Sequence, residues 1–310
     1  GNLGFASVVG GGWRNVVAAS KYAVVGGGYS NSNAGLAATV AGGYSNSVGA
    51  LSSYGTVGGG LANGVNGYGA VISGGQNNVA NSSWSVVGGG RNNTLLLDGG
   101  SAVIGGGDGN TVGARFAVIG GGNSNTATGR TSAIGGGAYN HNYGDVSTIA
   151  GGMYVSVYSA YGTVAGGHYQ SLYKQYGTIG GGGYNYNYGY GGTIGGGMYV
   201  SVYGSWGTVS GGYYQYLYKQ WGTIGGGAYN YNYGYAGTIA GGLYGTVYGS
   251  WGTVGGGYSQ KVYKAYGTIA GGGYNYNVGY AATIAGGVSV SVYNSYGTVA
   301  GGRNQYVYYQ

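Results

Sequence analysis

Hydrophobic positions along this chain fall in short β-branched or aliphatic pairs, each followed by a small residue or a further glycine and then two glycines. VVGGG at 8–12, TVAGG at 39–43, AVIGGG at 102–107 and TIGGG at 178–182 are examples. Glycine pairs begin at 11, 27, 42, 59, 74, 89 and 106, then at every fifteenth residue from 121 to 301, which makes 20 copies. Between the glycines and the next apolar pair, polar and larger residues alternate with the period of two that marks a strand, as in Tyr184 to Tyr188. Disordered sequence has no reason to keep such a register, whereas stacked coils do, because one insertion would misalign every column.

Fifteen residues making two short strands and two bends form one flattened coil. The pattern therefore predicts an all-β fold, a parallel β-solenoid (β-roll) of about 20 coils over 1–310. At ~4.8 Å per coil the stack would be about 95 Å long. Glycine serves the bends and places where a Cβ would collide. Proline is absent, as expected if nearly every backbone N–H feeds a ladder. Irregular spacings near 43–59 and 90–106, the latter with Leu95, Leu96, Leu97 and Asp98, predict bulged coils.

Stacking converts repeat positions into columns. The Thr column (Thr163, Thr178, Thr193, Thr208) is followed at each step by Ile or Val. That apolar column, Ile149, Val164, Ile179, Ile194, Val209, Ile224, Ile239, Val254 and Ile269, is the predicted core ladder. On the second strand one face carries Asn185, Asn187, Val200, Val202, Gln215 and Leu217, and the other carries Tyr184, Tyr186, Tyr188, Tyr199 and Tyr203. The Asn/Val/Gln/Leu face is the expected interior, with Asn and Gln bonding along the stack. Tyrosines inside would give a thicker solenoid of the same class.

A second period divides the chain. Residues 1–135 are rich in Asn, Ser and Ala, and five of the 40 tyrosines lie there. In 136–310 three kinds of 15-residue unit cycle every 45 residues: GYNYNYGYG at 183–191 returns as AYNYNYGYA at 228–236, and HYQSLYKQY at 168–176 as YYQYLYKQW at 213–221. Recent duplication of a three-coil block explains this most simply.

Composition narrows the function. Charged residues are 4% of the chain, glycine supplies 83 of 310 residues, cysteine is absent, and apolar residues reach 43%, enough to bury a core. The net charge of +7 comes from scattered Lys and Arg, among them Lys174, Lys219 and Lys264 at 45-residue intervals. Such a row serves solubility or attracts an anionic surface or polysaccharide; no basic cluster fits nucleic acid. No apolar run is long enough to span a membrane. The chain begins at Gly1 without an initiator Met or signal peptide, which reads as a processed chain or a fragment with any anchor outside it.

The titratable side chains that serve general acid–base chemistry are His141, His168, Asp98, Asp108 and Asp145. Of these only His141 and Asp145 share a coil, so no catalytic or metal role and no cofactor is expected. No glycine run is followed by the Lys-Ser/Thr of a phosphate loop. Aromatic columns are better material. Tyr161, Tyr176, Trp206, Trp221, Trp251, Tyr266 and Tyr296 form one candidate column for stacking on sugars or on protein, and Tyr158, Tyr173, Tyr188 and Tyr203 lie in another. The blander reading is that these rings cover glycine-rich backbone and hold neighbouring chains together.

SAVIGGGDGNTVGA at 101–114 and FAVIGGGNSNTATGRTSAIGGG at 116–137 resemble the head repeats of trimeric autotransporter (YadA-like) adhesins, and GGG-type repeats of bacterial and phage surface fibres. The matching residues are Ala102-Val103-Ile104-Gly105, Ala117-Val118-Ile119-Gly120 and Asn125-Thr126-Ala127-Thr128-Gly129. The resemblance covers roughly residues 1–150 and implies a left-handed β-roll, three chains side by side, and surface adhesion. The tyrosine-rich remainder departs from it, and no neck, heptad stalk or barrel anchor follows.

These readings converge on a non-enzymatic extracellular or cell-surface structural protein, a self-assembling subunit or shaft of a fibre. Its partner would be itself, as a head-to-tail polymer or a side-by-side homotrimer. Both ends lack capping elements, which favours head-to-tail pairing. The alternative is an adhesin head binding glycan or protein through aromatic ladders. A minor alternative is ice binding by the Thr column.

Overall fold

The computed structural model describes residues 5–18, 20–98 and 100–308. It is all-β: every described strand has two residues except Tyr213–Leu217 and Ala228–Asn232, which have five. Among the described residues no helix is long and apolar enough to cross a membrane. Contacts group the chain into two compact units, Gly1–Ala160 and Tyr161–Gln310. Each is a parallel β-solenoid of ten coils with two strands per coil. The compositional change near residue 135 falls inside the first unit.

Pairing is parallel and in register. In the second unit Thr178 pairs with Thr193 and Thr193 with Thr208, while Tyr186 pairs with Ser201. The first unit keeps the same register except in three coils, where Val8 and Val16 pair with Val24 and Ser32, Thr39 and Ser47 with Thr56 and Gly64, and Val86 and Thr94 with Val103 and Thr111. The residues added there leave the coil at one corner, after the second strand. Leu51 and Leu97 at the bulge tips are 87% and 79% exposed, whereas Leu95 stays in the core.

The backbone of one coil accounts for the missing proline. Thr178, Gly180, Tyr186 and Tyr188 donate their N–H groups to Gly192, Ile194, Val200 and Val202 of the next coil at 2.7–2.9 Å. Tyr184 and Gly191 donate back to His168 and Gln175 of the preceding one, both at 2.9 Å. Ring closure after so few residues forces left-handed corners. Gly182, with φ +91°, is one where glycine is obligatory, since a Cβ would lie 1.9 Å from the carbonyl oxygen of Gly197.

The core is narrow. Ile149 in the first unit and Val164, Ile179, Ile194, Val209, Ile224, Ile239, Val254 and Ile269 in the second are fully buried. Each contributes roughly 1.5–3 kcal/mol from removal of its side chain from water. Asn185, Asn187, Val200, Val202, Gln215 and Leu217 close the other wall and are also fully buried, so the tyrosines lie outside.

Buried asparagines act as spacers between coils. Asn125 donates through Nδ2 to the carbonyls of Gly121 and Gly137, both at 3.0 Å. Its Oδ1 accepts the backbone N–H of Asn140 at 3.0 Å, and its own N–H reaches Oδ1 of Asn110. The same arrangement recurs at Asn31, Asn46, Asn63, Asn78, Asn93 and Asn110. In the second unit Asn185, Asn230 and Asn275 keep the two glycine caps and the Oδ1 acceptor, but Gln170, Gln215 and Gln260 take the place of Asn in the coil before each, at 45-residue steps. The longer side chain still caps a glycine carbonyl, at 2.6 Å in each case, while its Oε1 is left without a partner.

Candidate functional site: the aromatic columns

Tyr161, Tyr176, Trp206, Trp221, Trp251, Tyr266 and Tyr296 occupy the corner before the Thr strand, with φ between 58° and 61°. A bulky residue in the left-handed region costs on the order of 1–3 kcal/mol by itself. The stack holds it there, because the corner N–H groups of Trp206, Trp251 and Tyr266 bond to Tyr190, Tyr235 and Ser250 of the preceding coil at 2.7–2.9 Å. All seven side chains are exposed.

This column is interrupted every third coil by Gly191, Ala236 and Ala281. There the preceding residue supplies the ring. Tyr190 lies edge-on to Tyr176 and Trp206 at 5.4 and 5.3 Å, and Tyr280 to Tyr266 and Tyr296 at 5.6 and 5.8 Å. At the middle interruption Tyr235 lies edge-on to Trp251 at 5.8 Å. An open groove of about 620 Å³ remains there, lined by Trp221, Tyr235, Ala236, Thr238, Trp251 and Thr253. It has indole walls, hydroxyls and no charge, a composition suited to a pyranose ring.

The tyrosines one residue past the second strand differ. Tyr173, Tyr188, Tyr203, Tyr218, Tyr233, Tyr248 and Tyr263 form one unbroken stack, with ring centroids 4.4–5.2 Å apart and planes within 15°. A parallel stack at left-handed corners runs through Tyr169, Tyr184, Tyr199, Tyr214, Tyr229 and Tyr244. In the first unit Tyr158 stacks on Tyr143 at 5.5 Å. Face-to-face stacking hides both faces of each inner ring, so these columns offer ring edges and phenol oxygens outward, not platforms for sugars. Burial, followed by neighbouring phenols and a shared hydrogen bond, pushes Tyr188 and Tyr218 each up to about 12.

Charge is divided unevenly. All three aspartates lie in the first unit, where Asp108 pairs with Arg91 and is held below the usual carboxylate range, mainly by that hydrogen bond. Asp145 accepts the backbone N–H of Arg130 at 2.7 Å, and the His141 ring stacks beside Tyr143. Among the described residues no three His, Cys, Asp or Glu side chains are grouped as a metal would need. The second unit carries Lys174, Lys219, Lys261, Lys264 and Arg303 without an acidic residue.

The residues Tyr190, Tyr235 and Tyr280 complete the corner column, and sequence reading overlooked them. Their signal was present: each precedes the small residue that interrupts the column, at 45-residue steps. No family model matches the chain, and a search of curated proteins finds no match.

Proposed function

We propose that this is a non-enzymatic extracellular structural protein, a shaft-forming solenoid whose copies associate side by side in a surface fibre. The observation that carries the reading is the paired stack of half-buried and exposed tyrosines in Tyr161–Gln310. Any contact that one coil makes through this face is repeated at ~4.8 Å intervals by the coils above and below. Weak phenol-edge contacts therefore add up along the stack. The five cations of this unit oppose association, so screening by salt strengthens it. Sedimentation velocity over a dilution series at two ionic strengths tests this. Large species that grow with concentration and salt support it, and Tyr188→Thr/Tyr218→Thr/Tyr248→Thr reduces their fraction at least tenfold. A chain that sediments as a single copy throughout refutes it.

A second reading, adhesion to glycan, is favoured by the Trp221–Trp251 groove alone. It predicts that Trp221→Ala/Trp251→Ala abolishes binding on a glycan array and leaves sedimentation unchanged; an array on which the unsubstituted chain binds nothing removes it.

A further inference from the structure

Two ring pairs in the long tyrosine stack are closer than the rest. Tyr173 and Tyr188 lie 4.4 Å apart with planes at 7°, and Tyr218 and Tyr233 lie 4.5 Å apart, also at 7°. The other neighbours in the stack are 5.0–5.2 Å apart. In each close pair the phenols are joined by a hydrogen bond. The pairs occupy equivalent places one 45-residue unit apart. The third unit has Tyr263 in the first place but Val278 in the second, so it carries no such pair.

We propose that Tyr173–Tyr188 and Tyr218–Tyr233 are oxidative coupling sites, where a peroxidase-type one-electron oxidant joins adjacent coils through intrachain dityrosine bonds. Each phenol loses one electron and one proton to give a phenoxyl radical. Two stacked radicals form a carbon–carbon bond between ring positions ortho to oxygen. The hydrogen on each bonded carbon then moves to oxygen as a proton, restoring both phenols. Two tyrosines and one hydrogen peroxide thus give one dityrosine and two waters. Rings held in contact need no diffusional encounter, and the protons released leave in the two waters formed from the peroxide. The bond would pin neighbouring coils to each other, whether or not copies of the chain associate.

The test is treatment of the full chain with a haem peroxidase and hydrogen peroxide, followed by tryptic peptide mapping. Cleavage after Lys174 and Lys219 separates the partners of each pair, so only a covalent link keeps them together. The expected products are the Tyr173–Tyr188 and Tyr218–Tyr233 peptide pairs, each lighter by two hydrogens, forming at a fractional rate independent of protein concentration. Tyr188→Phe/Tyr233→Phe keeps the stack but lowers dityrosine fluorescence at least tenfold, whereas Tyr263→Phe leaves it unchanged. Products dominated by well-exposed tyrosines such as Tyr296, or a yield that rises with protein concentration, would overturn the proposal. The map of the unsubstituted chain decides the matter even where a variant folds poorly.

Discussion

Removing one buried asparagine isolates the contribution of the inter-coil ladder. In Asn125→Ala, Gly121 loses its Nδ2 donor, and Gly137 keeps only the N–H of Asn123. The N–H of Asn140 loses its acceptor inside the core. An orphaned buried donor costs about 1–3 kcal/mol, and the cavity adds on the order of 1 kcal/mol. The sum, roughly 3 kcal/mol, corresponds to about a hundredfold faster opening at 1.4 kcal/mol per tenfold. Global midpoints blur such an effect in a repeat array, whose cooperativity need not be two-state. Native-state hydrogen exchange at the Asn140 amide reads it directly. Asn125→Val fills more of the cavity but leaves the same orphan, so both variants should expose Asn140, with Ala the worse. Protection at Asn140 within threefold of the unsubstituted chain in both variants would refute the ladder as a stabilising element.

Other consequences follow from the same coil. Gly137→Ala places a Cβ 2.1 Å from the Gly152 carbonyl at φ +88°, whereas Gly136→Ala meets nothing within 4 Å. The first should melt at a clearly lower temperature by circular dichroism, and the second should stay within about 0.5 kcal/mol of the unsubstituted chain. Tyr188 and Tyr218 ionise near pH 12 when folded, against 10.0 for the free phenol. Their neutral forms favour the folded state, so this contribution is intact below pH 10 and is lost as pH climbs through 12. Urea melts at stepped pH check this, and the reverse slope would contradict it. Ile179→Ala truncates a fully buried side chain and should cost about 2–5 kcal/mol by denaturant titration.

Much of the architecture is legible in the sequence because its period is enforced by stacking. A β-branched pair at fixed spacing can point inward only one way, which is why the Ile179 column and the Asn185/Asn187 wall are readable. The left-handed aromatic corners are not, because bulky residues such as Trp206 are disfavoured there in isolation and only neighbouring coils make the conformation pay. The stacking of Tyr188 on its neighbours is equally hidden. Alternation places these rings outside, but their ~5 Å spacing closes their faces to ligands and turns a presumed sugar platform into a row of phenol edges. The Trp221–Trp251 groove depends on Ala236 following Tyr235, a four-residue coincidence that no single motif signals.

The central claim, a solenoid that assembles through its coil surfaces, is tested most directly by electron microscopy of the purified chain across a dilution series. The account predicts laterally bundled fibres with a ~4.8 Å repeat along the axis, thinning on dilution and thickening with salt. Single, unbundled particles at every concentration and salt level would contradict it.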